Sequence, residues 1–182
     1  AAEGQELDFF EIDPVVVGIA RDYFTYLDKT KGDVDIKVGD GRVLMRQAPE
    51  NHYGLIVVDA FSSDSIPVHL TTVEAVDLYM RRLTDDGILM MHISNKYVDL
   101  APMLSRVADE LGLAASKNWH VAEEDDFEHP SANVATSVWV AMAHDEEDLD
   151  QLQERGAWDE LELREDAPLW TDNYSNLVEL LK

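Results

Sequence analysis

The chain has 182 residues, 46% of them hydrophobic, and a formal charge of −24 from 14 Lys and Arg against 38 Asp and Glu; this suits one domain with a sizeable core and excludes wholesale disorder. So acidic a surface repels phosphate backbones and anionic lipid, making nucleic acid and membrane surfaces poor partners, while it attracts cations, polyamines among them. There is no cysteine, which removes disulfides, thiolate metal sites and cysteine nucleophiles.

The charge itself reads as a solvated face. No apolar run is long enough to span a bilayer and nothing at the start resembles a signal peptide, so a soluble, cytoplasmic chain is expected. Leu7 to Ile12 reads as a buried strand ended by Asp13-Pro14, with Pro14 at the first helical position. Val15 to Tyr26 then carries Val16, Ile19, Ala20, Tyr23 and Leu27 at helical spacing. Lys31-Gly32-Asp33 is a turn, Val34 to Val38 a short strand and Arg42 to Gln47 a short helix. Tyr53 to Val58 is the most strand-like segment, apolar on both faces as in a central parallel strand.

Asp59 to Pro67 is a Ser- and Asp-rich loop, and Thr72 caps a helix over Val73 to Leu83. Asp85-Asp86-Gly87 turns the chain into a strand over Ile88 to Ile93. Leu100 to Leu111 is an amphipathic helix closed by Gly112. A strand ends near Trp119 to Val121, Glu123 to Asn133 is the expected mobile loop, and Thr136 to Ala143 is a strand. Glu146 to Gln153 reads as a helix and Asn176 to Leu181 as a terminal helical turn; Trp158 to Trp170 has no clear assignment. Alternating strands and helices imply an α/β fold with a mostly parallel, doubly wound sheet over a single domain, 1–182.

Asp40, Asp59 and Asp64 fall at the carboxyl ends of strands, where open α/β sheets hold their ligands, and Glu11 lies upstream. Asp59 follows a run of apolar residues, so its carboxylate stands at the mouth of the sheet, where it can hold an ammonium group and take its proton. Asp64 can supply a second charge to position the amine. Both are also readable as loop acids satisfying backbone N–H groups among Ser62, Ser63 and Ser65. Glu11 in E-I-D-P can accept hydrogen bonds from both hydroxyls of a ribose, or serve as a plain strand-end acid. Asp40 can accept from the amino group of an adenine while Gly41 lets backbone approach the ring, or Asp40 can simply cap a helix. The six histidines form no pair at metal-ligand spacing, so no metal is expected. His92 reads as a satisfied core histidine, and His69 lies near the proposed site. Trp170-Thr171-Asp172-Asn173-Tyr174 can fold back over the site, although its sequence does not show it.

Together these segments resemble the spermidine synthase family of aminopropyltransferases, in its bacterial spermidine-synthase-like branch, some members of which are fused to membrane-spanning domains. The pieces are E-I-D-P at Glu11 to Pro14, V-G-D-G-R at Val38 to Arg42 and Y-G-L-I-V-V-D-A-F-S-S-D-S-I-P-V-H-L at Tyr53 to Leu70. They continue with L-T-D-D-G-I-L at Leu83 to Leu89, H-I-S-N at His92 to Asn95 and W-T-D-N-Y-S-N at Trp170 to Asn176. The resemblance implies a Rossmann-like methyltransferase fold and a ligand of the S-adenosyl type, decarboxylated S-adenosylmethionine in true family enzymes. It makes Glu11 the hold on the ribose, Asp40 the hold on the adenine amino group and Asp59 the base for the attacking amine. The family's D-x-x-D-P is lengthened here to D-A-F-S-S-D-S-I-P, with Asp64 as its second acid. The family's first strand and glycine-rich loop have no counterpart in the ten residues before Glu11. An N-terminally incomplete domain, or a degenerate cofactor site, is therefore expected.

Three functions follow. The first is aminopropyl transfer from decarboxylated S-adenosylmethionine to a polyamine-type amine; the second is S-adenosylmethionine-dependent methyl transfer on the same architecture. The third is a non-catalytic domain that binds an adenosyl compound or a polyamine, or forms the soluble part of a membrane-fused protein. Dimerisation is frequent in the family, so a homodimer is the accompanying expectation.

Overall fold

The computed structural model describes residues 1–60, 66–120, 137–154 and 157–182. Asp64 and the expected mobile loop over Glu123 to Asn133 lie outside the described residues. The chain divides into two compact units, Ala1–Ala48 and Pro49–Lys182.

In the first unit, β1 (Glu6–Glu11) pairs parallel with β2 (Asp33–Val38), from Glu6 opposite Asp33 to Glu11 opposite Val38. The crossover runs through α1 (Pro14–Tyr23) and the single turn α2 (Tyr26–Lys29). Helix α1 starts where the sequence predicts: Asp13 accepts from the Val15 N–H at 2.8 Å and Pro14 takes the first position, where its missing N–H costs nothing. It ends three residues early, because Phe24 is extended. Its apolar stripe also differs from the expected one. Val17 is the buried residue, while Val16, Ile19 and Tyr23 are exposed.

Among the described residues of the second unit, five strands lie in the order β3-β4-β6-β5-β7. Strands β3 (Tyr53–Val58) and β4 (Leu83–His92) are parallel. Strand β6 (Ser137–Ala143) inserts antiparallel between β4 and β5 (Ala114–His120), and β7 (Trp158–Glu160) adds antiparallel to β5. The α/β class holds, and among the described residues parallel pairing is confined to β1/β2 and β3/β4. Strand β6 runs against both of its neighbours, and β7 runs against β5. Strand β3 is an edge of this sheet, with Ile56 and Val58 buried and Leu55 and Val57 half-exposed.

Asp85-Asp86-Gly87 forms no separate turn but lies within β4, where the register jumps from Tyr53 opposite Leu83 to Leu55 opposite Ile88. Glycine is needed there, since a Cβ on Gly87 would stand 2.9 Å from the Leu83 Cβ. Helices α4 (Val73–Met80) and α5 (Ala101–Leu111) pack against each other and against the sheet. Val76, Leu89, Met91, Leu104, Val107 and Val140 are fully buried, each stabilising by about 1.5–3 kcal/mol. Thr72 caps α4 as predicted, accepting from the Ala75 N–H. Glu146–Leu149 is a 3₁₀ turn leading into α6 (Asp150–Glu154). Among the described residues no helix is long and apolar enough to cross a membrane.

Gly112 ends α5 in the left-handed region at φ 64°, with open space where a Cβ would point. Gly112→Ala is therefore a purely conformational lesion. It is expected to destabilise by about 1 kcal/mol, read as a lower urea midpoint at unchanged m-value.

Candidate functional site

Parallel neighbours end on the same side of a sheet. Val58 stands opposite Met91, so the next residues, Asp59 and His92, emerge together at the carboxyl ends of β3 and β4. The His92 Nδ1 lies 2.7 Å from the Asp59 Oδ1, and its Nε2 lies 2.6 Å from the Ser94 Oγ. Ser94 in turn accepts from the Val138 backbone N–H at 2.8 Å. The imidazole also stacks on Trp139, its opposite number on β6, with ring centres 4.7 Å apart and planes 23° from parallel. Two hydrogen bonds and a stacked face thus fix the ring, and the ring fixes one carboxylate oxygen of Asp59. Exposure falls along this chain, from 57% for the Asp59 side chain to 25% for that of His92. The carboxylate is the accessible end.

The C-terminal segment reaches the same unit's α4. The Val73 N–H donates to the Trp170 carbonyl at 2.9 Å, the Thr72 hydroxyl to Asp172 at 2.8 Å, and the Asp172 N–H to Glu74 at 2.9 Å. Thr171 and Tyr174 close a tight bridge. A cavity of about 630 Å³ opens there, lined among others by Ile66, His69, Asp172, Asn173 and Tyr174. The segment folds back onto α4, and Thr171 to Tyr174 share this cavity with His69; Asp59 is not among its lining residues.

The first unit carries the other three expected residues. Glu11 closes β1 and accepts from the Asp13 N–H at 2.8 Å through Oε1. Asp40 caps α3 (Gly41–Met45), accepting from the Val43 N–H at 2.9 Å. Capping is thus a role that Asp40 does fill. Gly41 opens that helix, and a Cβ there would meet only the Phe10 Cβ at 4.0 Å, so packing within the chain does not demand glycine. Among the described residues no group of three or more His, Asp or Glu is placed to hold a metal ion.

His92 is the residue that sequence reasoning undervalued. It is satisfied, as expected, but by the candidate base rather than by core backbone. The signal was present in two segments, V-V-D and M-M-H, that end adjacent parallel strands; it needed the pairing of β3 with β4 to become visible.

Acids at the carboxyl ends of parallel strands, with helices in the crossovers, define a Rossmann-like α/β protein. The solved structure of a probable spermidine synthase from Corynebacterium glutamicum shares this fold, with a TM-score of 0.62 at 15% identity, over 93% of this chain and 64% of that one. The chain belongs to the spermine/spermidine synthase domain family, which matches residues 4–113. It is 35% identical over 86 residues to a polyamine aminopropyltransferase of Vibrio vulnificus, covering 46% of this chain and 28% of that protein. It is 39% identical over 64 residues to putrescine N-methyltransferase 2 of Nicotiana tabacum, covering 34% of this chain and 18% of that protein. The chain therefore spans less than a third of the length of either relative.

Proposed function

We propose that this chain serves aminopropyl transfer from decarboxylated S-adenosylmethionine to a polyamine-type amine, with Asp59 as the base. The observation that carries this reading is an exposed carboxylate at a strand's carboxyl end, oriented by a buffered hydrogen-bond chain, in a member of the spermine/spermidine synthase family. A cationic amine is drawn to that carboxylate and gives it a proton. The freed lone pair then attacks the carbon next to the sulfonium. A C–N bond forms, the C–S bond breaks with its electrons going to sulfur, and neutral methylthioadenosine leaves. The protein's share is positioning and proton removal.

Glu11 is assigned to the ribose and Asp40, beside Gly41, to the adenine amino group of the donor. Glu11 accepts from the Asp13 N–H through one oxygen, and an ionised carboxylate offers about four lone-pair sites for further donors. Asp64 is assigned the second charge on the amine. The putrescine N-methyltransferase relative favours one alternative, S-adenosylmethionine-dependent methyl transfer to a similar amine. Both readings keep the amine and the base; they differ in the donor.

Calorimetric titration with the two leaving products separates them. Methylthioadenosine is expected to bind more tightly than S-adenosylhomocysteine. The reverse order assigns methyl transfer, and binding of neither assigns a non-catalytic role.

A further inference from the structure

We propose that His92 is the positioning residue of this site: a directed hydrogen-bond chain from the Val138 N–H through Ser94 and His92 holds the Asp59 carboxylate in one orientation. The proposal rests on the reading of Asp59 as the base.

The direction of the chain follows from what each group is able to do. A backbone N–H only donates, so the Ser94 Oγ accepts from Val138 at 2.8 Å. An ionised carboxylate only accepts, so the ring proton lies on the Nδ1 facing Asp59, and the Nε2 of the neutral imidazole accepts the one hydroxyl proton of Ser94 along the 2.6 Å contact. That Nδ1–H donates to the Asp59 Oδ1 at 2.7 Å, a length expected for a charge-assisted bond. The backbone of β6 thereby anchors, through Ser94, the ring on β4 that holds an acid after β3. Trp139 sets the plane of the ring by stacking on it.

Serine, histidine and aspartate joined in this order also describe a hydrolase triad, but the exposure runs the other way. A triad presents its serine to substrate and buries its acid. Here the acid is 57% exposed, while Ser94 is half-buried and tied to backbone. The working end is therefore Asp59. With Oδ1 held by the imidazole, the second oxygen is the one left to meet an ammonium proton. A carboxylate free to rotate would present that oxygen for only part of the time, and misplacement of a reacting group is costly in rate.

Two measurements on the full chain test this. In ¹⁵N-histidine NMR, His92 is expected to carry its proton on Nδ1, with Nε2 bare, its signals identified by their loss in His92→Asn. A proton on Nε2 overturns the proposal. In steady-state kinetics with putrescine, His92→Leu is expected to lower kcat by roughly 10- to 100-fold, the worth of a hydrogen bond to a charged group, with little change in KM for the amine. His92→Asn, whose amide N–H stands where Nδ1–H stood, is expected to retain most of the parental kcat. Parental kcat in His92→Leu, or equal loss in both variants, overturns the proposal. Parental turnover in Asp59→Asn instead removes the base assignment underneath it, whichever tautomer His92 shows.

Discussion

Asp59→Asn is expected to lower turnover of amine and decarboxylated S-adenosylmethionine by roughly 10²- to 10⁴-fold, the usual worth of a positioned general base. The substitution is nearly isosteric, and its side chain is 57% exposed, so the fold has little reason to respond. The amide oxygen still accepts from the His92 Nδ1–H, which leaves the hydrogen-bond chain intact. What is lost is basicity, together with the negative charge that draws a cationic amine. Binding of methylthioadenosine is expected to stay within about threefold of the parent, because the assigned donor contacts are Glu11 and Asp40. Single-turnover product formation, read beside calorimetric binding of methylthioadenosine, checks both halves. Parental turnover would place the base elsewhere.

Much of this arrangement was legible in the sequence wherever local chemistry decides the structure. Pro14 after Asp13, Thr72 before an apolar helix and Gly112 after one are stop and start signals that need no tertiary context, and each stands where it was read. The apolar runs at β3, β4 and β6 were legible for the same reason. Strand order was not. Nothing local in T-S-V-W-V-A-M-A says that β6 inserts between β4 and β5 and runs against both; that is a matter of tertiary pairing. The stripe on α1 failed for a related reason. Helical spacing identifies a set of apolar residues, but Val17 rather than Val16 and Ile19 is the one its own unit buries. Asp85-Asp86-Gly87 reads as a turn because those residues favour turns, yet here they are accommodated within one strand beside a crowded Leu83.

The site divides along the same line. Asp59 stands out in the sequence because it ends a conspicuous strand, and Asp40 because Asp-Gly before a helix is a capping signal. The partner that gives Asp59 its orientation lies 33 positions away and on a different strand, beyond the reach of any local pattern. A histidine on an apolar strand is ordinarily a packed one. Only the shared end of β3 and β4 turns His92 from packing into positioning.

Trp170→Ala is expected to be the most destabilising single change, at about 3–5 kcal/mol, a large share of the roughly 5–15 kcal/mol that holds a domain folded. Trp170 is among the largest fully buried side chains of the described residues. Its carbonyl accepts from Val73 at the first turn of α4, so the side chain pins the C-terminal segment at the point where that segment meets the cap residue Thr72. Its indole N–H is buried without a hydrogen-bond partner among the described residues, a defect that opposes folding by about 1–3 kcal/mol. Trp170→Phe removes that defect while keeping most of the aromatic volume, and is expected to cost less than about 2 kcal/mol. Urea denaturation of the two variants tests the balance. A loss in Trp170→Phe as large as in Trp170→Ala would mean that the indole N–H is satisfied in solution, and that the segment carrying Asp172 is held by that bond as well as by packing.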